Sequence, residues 1–311
     1  MKLVFCGTPE FAVPTLEALI AAGHEIALVL TQPDRPVGRK QELQAPAVKV
    51  AALQHGLELL QPTKVKVNPE LQQRLETIQP DCIVVVAYGR IIPKWMLELP
   101  RFGNINLHGS LLPKYRGAAP VQWAIANGET ETGVSTMWLD EGLDTGDVLL
   151  EERLSIGSDT TSPQLFPQLS LIGAALMVET LKQLESGTAV RKPQDHSMAT
   201  LAPILTREDG RVDFTALTAK EIYDRWRGFN PWPGAYASFH DKRFLIHSMR
   251  ITENVEGVPC GALDWSDGRL VVGASEGTAL ELMEVQLEGK QKLTGMDFIK
   301  GFQVKEGETL A

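Results

Sequence analysis

Asn106 and His108 stand two residues apart behind the apolar Ile105, so in an extended segment both side chains project from one face. Gly109 and Pro113 follow and bend the backbone, which predicts a strand ending at the pair. Ligands of open α/β sheets gather at such strand ends. An amide that donates, beside an imidazole that exchanges protons near neutral pH, suits acyl transfer: one group steadies an oxyanion and the other moves a proton. Taken alone the pair has an ordinary alternative, because Asn and His at strand ends also cap turns.

A second polar cluster is Asp140-Glu-Gly-Leu-Asp-Thr-Gly-Asp147. Its acids do not match the twelve-residue calcium pattern with a terminal Glu, so no metal is expected there. The preferred role is a loop carboxylate that reaches an imidazole on the neighbouring strand. Cys6, Cys82 and Cys260 are widely spaced, and buried reduced thiols are expected rather than a disulfide framework or a zinc site.

The elements that must position these groups read as an α/β fold. Lys2 to Cys6 is a buried strand, a glycine turn and a helix follow from Glu10, and Ile26 to Leu30 is the next strand, the signature of a parallel sheet. The first turn lacks the G-x-G-x-x-G spacing, which argues against an NAD-dependent dehydrogenase. Pro69 opens a helix, Cys82 to Ala87 is the most apolar strand and therefore central, Ile91 to Leu97 reads as helical, and a long helix runs from about Pro163 to Leu184. Thr31 to Pro46 is a polar, proline-broken loop, long enough to expect a function. Beyond a polar stretch near Val190 to Thr206, short strands separated by glycines and acidic turns suggest a small barrel.

The boundaries expected are a Rossmann-like parallel-sheet domain over 1–189, a linker over 190–206 and a small OB-like β-barrel domain over 207–311. No run of about 18 apolar residues and no cleavable leader is read from the sequence, so cytoplasmic residence and no membrane partner are expected. The formal net charge of −9 argues against a general charge-driven nucleic-acid binder and leaves room for a local basic patch.

Gly7-Thr-Pro-Glu-Phe11, Thr31-Gln-Pro-Asp-Arg35, Val86-Ala-Tyr-Gly89, Asn106-Leu-His-Gly-Ser-Leu-Leu-Pro113, Arg116-Gly-Ala-Ala-Pro120, Leu143-Asp-Thr-Gly-Asp147 and Asn230-Pro-Trp-Pro233 together resemble the methionyl-tRNA formyltransferases of the 10-formyltetrahydrofolate-dependent formyltransferase superfamily. The resemblance covers the full length. It implies that Asn106, His108 and Asp144 are a catalytic trio, that Ser110, Leu111, Leu112 and Pro113, with Tyr88 and Gly89, contact the folate co-substrate, and that no metal takes part. It also implies that the 32–45 loop approaches the acceptor stem of initiator methionyl-tRNA; Arg35, Arg39 and Lys40 of that loop, helped by Lys49, are the candidate phosphate contacts, and a monomer is expected. The loop departs from many relatives at Lys40-Gln-Glu42, where the basic run is cut short.

An ionised Asp144 bonded to one nitrogen of His108 would fix its tautomer, or would handle the proton itself through a water. The other reading within the superfamily is a sugar-amine N-formyltransferase, and a non-catalytic RNA-binding protein is the alternative outside it. In the last hundred residues Arg225, Arg227, Lys242, Arg243, Lys290, Lys292, Lys300 and Lys305 are candidate RNA contacts or ordinary surface charge. Trp232 and Tyr236 are expected to pack the domain core.

Overall fold

The computed structural model describes residues 1–38, 41–252, 257–305 and 307–311. The first elements are β1 (Lys2–Gly7), α1 (Val13–Ala21), β2 (Glu25–Leu30), β3 (Arg35–Val37), β4 (Glu42–Gln44), α2 (Ala47–Gln54), β5 (Leu59–Leu60), α3 (Pro69–Ile78), β6 (Cys82–Val86), α4 (Lys94–Leu97) and β7 (Asn104–His108). They continue with β8 (Arg116–Gly117), α5 (Pro120–Ala126), β9 (Glu131–Trp138), β10 (Val148–Ser155), α6 (Ser162–Ser186) and β11 (Leu201–Ala202). A seven-stranded sheet runs in the order β10-β9-β7-β6-β1-β2-β5. Strands β5, β2, β1, β6 and β7 are parallel, and β9 and β10 add antiparallel pairings at one side.

The centre of that sheet is β6, every residue of which is buried, as its unbroken Cys-Ile-Val-Val-Val run requires of a strand covered on both faces. From β1 the chain winds outward to β2 and β5, then returns to the other side of β1 as β6 and β7. The reversal of strand order falls between β1 and β6, so the crevice of this open sheet opens beside Gly7 and Ala87. Thr8 bridges it, donating from Oγ1 to the Tyr88 carbonyl at 2.9 Å.

Helix α3 starts where Asn68 accepts from the Leu71 N–H at 3.0 Å with Pro69 in the first turn. Residues 91–93, expected to be helical, stay irregular, with Pro93 in extended backbone as the N-cap of a helix that starts at Lys94; a proline disfavours helical backbone at the residue before it. The 32–45 stretch contains a hairpin in which Arg35, Pro36 and Val37 pair Gln44, Leu43 and Glu42. By length and composition α6 is long and apolar enough to cross a membrane, although Gln164, Gln168, Ser170, Glu179 and Lys182 interrupt its apolar residues. Its Leu165, Leu169, Met177 and Leu181 are fully buried, as in a core helix.

Asp81 ties β1 to the start of β6. Its Oδ2 accepts from the Lys2 N–H at 2.7 Å, and Arg101 Nε lies 2.9 Å from Oδ1. The Lys2 N–H, and then the Arg101 charge, hold the carboxyl below its usual range. A lowered folded-state pKa gives stability that is present above the unfolded value of about 3.9 and lost as pH falls through the folded value. Asp81→Ala should therefore lower the unfolding free energy by about 1–3 kcal/mol at pH 7. Urea denaturation should show that difference shrinking below about pH 4; a constant difference down to pH 2 would count against the assignment.

The last part of the chain holds α7 (Ala219–Phe229), β12 (Ala235–Phe239), β13 (Lys242–Thr252), β14 (Leu263–Asp264), β15 (Val271–Gly273), β16 (Ala279–Leu287), β17 (Leu293–Thr294) and α8 (Gly295–Phe302). The strand order is β12-β13-β16-β15-β14, with β17 on β16. The end of the chain closes this sheet: Ser238 and Ala311 exchange backbone bonds at 2.6 and 2.9 Å, while Leu263 donates to Glu308 and Leu310 donates to Gly261. Phe239, Phe244 and Phe298 fill the interior.

The described residues form two compact units whose segments alternate along the chain. One comprises Met1–Pro120, Glu131–Ser155 and Gln164–Pro203; the other comprises Val121–Thr130, Ile156–Pro163 and Ile204–Ala311. Two stretches expected in the first domain thus cluster with the second unit. Trp123 stacks edge-on to Phe229 at 5.1 Å, and Ser162 Oγ donates to the Gly228 carbonyl at 2.6 Å. Residues 190–203, expected as linker, cluster with the first unit, where Leu201 and Ala202 pair Arg116 and Gly117.

Candidate active site

Strand β7 is wholly buried between β6 and β9, and places Asn106 opposite Val85 and Met137, and His108 opposite Ser135. Alternation along the strand puts Asn104, Asn106 and His108 on one face. Asn104 is spent on structure, its amide donating to the Met96 and Leu97 carbonyls at 3.0 Å each. Asn106 is 9% exposed, and among the described residues nothing hydrogen-bonds its side chain. It is a spare amide in a nearly dry place, two residues before the imidazole.

After β7 the chain turns through Ser110 to Lys114. Ser110 Oγ donates to the Lys114 carbonyl at 2.6 Å, and Ser135 Oγ donates to the Ser110 carbonyl at 2.7 Å and accepts from the Leu112 N–H at 3.2 Å. Tyr115 then adopts φ +60°, a left-handed conformation that costs an L-residue about 1–2 kcal/mol. That conformation aims its carbonyl at His108, with Nε2 at 2.8 Å. A carbonyl only accepts, so Nε2 carries the proton and Nδ1 of the neutral ring holds the lone pair. Nδ1 faces Asp144 Oδ2 at 3.7 Å, ion-pair range rather than hydrogen-bond range. The tautomer is therefore set by the Tyr115 carbonyl, where the sequence suggested the Asp144 carboxylate.

Asp144 lies in the loop joining β9 to β10, with φ +51°. Its Oδ2 accepts from the Gly117 N–H at 2.8 Å, and Gln194 Nε2 donates to its carbonyl at 2.9 Å and to that of Gly146 at 2.7 Å. Gly146 has no alternative here, because a Cβ would come within 1.8 Å of the Trp138 carbonyl oxygen. The structure thus brings Asn106, His108 and Asp144 onto adjoining segments of one unit.

The residues expected at the folate divide into two groups. Ser110 is fully buried with its hydroxyl engaged, Leu112 packs on Met137 and Val148, and the Tyr88 ring lies in the core against Val85 and Met96. The Tyr88 carbonyl is taken by Thr8 and by Gln32 Nε2 at 3.1 Å, and the Gly89 carbonyl by the same Gln32 nitrogen at 2.8 Å. Leu111 and Pro113 are partly exposed. Two apolar side chains stand open to solvent, Ile91 at 86% and Leu143, the first residue of the Leu-Asp-Thr-Gly-Asp motif, at 60%. Lys94 Nζ and Glu141 Oε1 lie 3.7 Å apart at the exposed surface, where the segment after Gly89 meets the loop that carries Asp144.

Among the expected tRNA contacts, Arg35 is exposed at the base of the hairpin and donates to Gln32 Oε1. Arg39 and Lys40 lie outside the described residues. Lys49 does not reinforce them: it is paired with Asp34 at 2.8 Å. Asp34 also accepts from Gln61 at 2.7 Å, and that bond, followed by the Lys49 contact, keeps its carboxyl below the usual range.

In the second unit several candidate cations are likewise committed. Arg227 is buried against Asp224 and the Thr160 carbonyl, Arg243 lies 3.8 Å over the Tyr236 ring, and Lys292 pairs Glu284 at 2.9 Å. Trp232 does not pack the core as expected. It sits in the turn between α7 and β12, 56% exposed. Among the described residues no group of three His, Cys, Asp or Glu gathers to hold a metal ion.

The formyl transferase family model matches residues 1–181, and the formyl transferase C-terminal domain model matches 204–303. The chain is 58% identical over 301 residues to the methionyl-tRNA formyltransferase of Acidobacterium capsulatum, covering 97% of this chain and 96% of that protein. It is 53% identical to the methionyl-tRNA formyltransferase of Koribacter versatilis, over 100% of this chain and 98% of that one.

Solved structures share the fold at lower identity. The N-formyltransferase of Helicobacter canadensis, in complex with folinic acid and dTDP-3-aminofucose, superposes with TM-score 0.67 at 18% identity, covering 94% of this chain and 100% of that chain. HypX of Aquifex aeolicus, in complex with tetrahydrofolic acid, gives TM-score 0.63 at 19% identity, with 100% of this chain covering 50% of that chain. With both family models matched in order and relatives aligned end to end, the chain belongs to the formyl transferase family.

Proposed function

We propose that the protein transfers a formyl group from 10-formyltetrahydrofolate to the α-amino group of initiator methionyl-tRNA. Full-length identity to methionyl-tRNA formyltransferases supports the substrate. The observation that carries the chemistry is the orientation of His108, whose Nε2 is committed to the Tyr115 carbonyl while Nδ1 and the unpartnered Asn106 amide stay available. The likeness to sugar N-formyltransferases is at 18% identity and supports the fold alone.

The folate supplies the formyl carbon. The residues fit such a ligand: exposed Ile91 and Leu143 offer apolar faces to a flat ring, and the backbone beside Gly89 lies outside helix and strand, leaving groups for its polar edge. An α-amino group titrates at about 7.7–8.0 in a model peptide, so part of it is already free to attack at neutral pH. As the nitrogen adds to the formyl carbon, the Asn106 NH₂ donates to the oxygen on which negative charge grows. The His108 Nδ1 lone pair takes the proton shed by the amine. Asp144 Oδ2, 3.7 Å away, steadies the imidazolium so formed, and the Gly117 N–H keeps that carboxylate in place. When the bond from the formyl carbon to the folate nitrogen breaks, the imidazolium returns the proton to that nitrogen. No covalent enzyme intermediate is needed: Ser110 Oγ is engaged, and burial raises the thiols of Cys6 and Cys82 away from the reactive thiolate.

The test is transfer of labelled formyl from the folate donor to charged initiator tRNA, charged elongator tRNA and a nucleotide-linked amino sugar. Initiator methionyl-tRNA should be formylated with a kcat/KM at least about a hundredfold above the others. Preference for the amino sugar would reject the reading.

A further inference from the structure

We infer that the segment 194–202, which lies between the regions matched by the two family models, positions the catalytic pair: Thr200 sets the imidazole of His108, and Gln194, held by Arg116, sets Asp144. The inference rests on the roles proposed above for His108 and Asp144.

The first arm runs through a peptide. Thr200 Oγ1 accepts from the Tyr115 N–H at 2.8 Å, and the Thr200 carbonyl accepts from the Arg116 N–H at 2.8 Å. Leu201 and Ala202 extend this grip as a parallel strand beside Arg116 and Gly117, and the Ala119 N–H bonds the Ala202 carbonyl at 3.1 Å. These bonds hold Tyr115 at φ +60°, against the preference of a bulky L-residue, and so hold its carbonyl 2.8 Å from His108 Nε2. Rotating that peptide would withdraw the acceptor that selects the tautomer.

The second arm runs through an amide. Gln194 is buried and spends both polar atoms: Nε2 donates to the Asp144 and Gly146 carbonyls, while Oε1 accepts from Arg116 Nε at 3.1 Å and Nη2 at 2.6 Å. Arg116 is 7% exposed, and its remaining bond goes to a neutral ring nitrogen, His196 Nδ1 at 3.0 Å. A buried guanidinium on the Gln194 carbonyl polarises the amide and strengthens the two bonds it donates. Those bonds fix the carbonyls either side of Thr145 while Asp144 sits at φ +51°. Gly117, which orients the Asp144 carboxylate, follows Arg116 directly, so both arms converge on one strand.

The full-length variants Thr200→Val, Thr200→Ser and Gln194→Glu test this. Valine keeps the shape of threonine and removes the acceptor; serine keeps the acceptor; glutamate removes both donors. Thr200→Val and Gln194→Glu should each lower kcat about tenfold to a hundredfold. KM for donor and charged tRNA should stay near wild type, the thermal midpoint should fall modestly in Thr200→Val and Gln194→Glu because each leaves buried polar groups without their partner, and Thr200→Ser should recover kcat to within about twofold. Nitrogen-15 shifts of His108 should report the Nε2–H tautomer in the wild type and a mixture of tautomers in Thr200→Val. An unchanged tautomer in Thr200→Val, or a loss that serine does not restore, overturns the inference. A shifted tautomer with unchanged kcat supports the positioning and overturns the reading of His108 as the base.

Discussion

Replacing His108 with alanine should lower kcat by about 10²–10⁴-fold while the protein stays folded. The expectation follows from the division of labour on the ring. Nε2 is consumed by the Tyr115 carbonyl, and Nδ1, 3.7 Å from Asp144, is the ring nitrogen left to take the proton. Alanine leaves a small cavity and an orphaned carbonyl at the end of β7, which costs some stability, and the thermal midpoint should be recorded beside kcat. Two controls separate chemistry from disturbance. Added imidazole should restore part of the lost rate in His108→Ala, and a glutamine, which keeps a donor toward the Tyr115 carbonyl but has no basic nitrogen, should be nearly as slow as alanine. Turnover by His108→Ala within tenfold of wild type would sink the assignment of the base and shift attention to Asp144 acting through water.

Asn106→Ala should lower kcat by about 10²–10³-fold, equivalent to about 3–4 kcal/mol of transition-state stabilisation. What makes the effect large is that the amide serves no structural bond among the described residues, in contrast to Asn104 two positions earlier on the same face. Removing it should therefore leave the sheet nearly undisturbed, with a stability change below about 1 kcal/mol. The loss should fall on kcat and kcat/KM alike, the pattern of an interaction made only in the transition state. Asn106→Asp should be at least as slow as Asn106→Ala, since it puts negative charge where the oxyanion develops. Steady-state kinetics with charged initiator tRNA check both variants; a rise in KM with kcat unchanged would reassign Asn106 to substrate binding.

The sequence disclosed what is written in local pattern. The unbroken apolar run at Cys82–Val86 marked the central strand, Pro69 marked a helix start, and the two-residue spacing of Asn106 and His108 marked one face of a strand. Motif resemblance added Asp144, which the folded chain brings within 3.7 Å of the imidazole across a separation of thirty-six residues. What stayed hidden depends on non-local bonds. Tyr115 carries no mark of a left-handed backbone, because its conformation is imposed by Thr200 from eighty-five residues away. Gln194 and Thr200 lie in a polar, irregular stretch that composition reads as a connector. The one available signal was Arg116 in the Arg-Gly-Ala-Ala-Pro motif, an arginine among small residues whose burial foretells a buried acceptor. Lys49 misled for the complementary reason: a basic side chain near a basic loop reads as shared charge until its pairing with Asp34 is seen.

The alternation of the two units along the chain bears on how such a protein can be recombined. The backbone passes from one unit to the other five times, after Pro120, Thr130, Ser155, Pro163 and Pro203. No single crossover point therefore exchanges an intact C-terminal module between homologues. A graft beginning at residue 204 would pair its Phe229 and Gly228 with a foreign Trp123 and Ser162, and a fragment of 204–311 alone would leave the Phe229 ring without its edge-on partner and Arg227 without the Gly157 and Thr160 carbonyls. The heritable unit is the whole chain: substitutions in residues 121–130 and 156–163 must be tolerated by a body encoded mostly downstream of both.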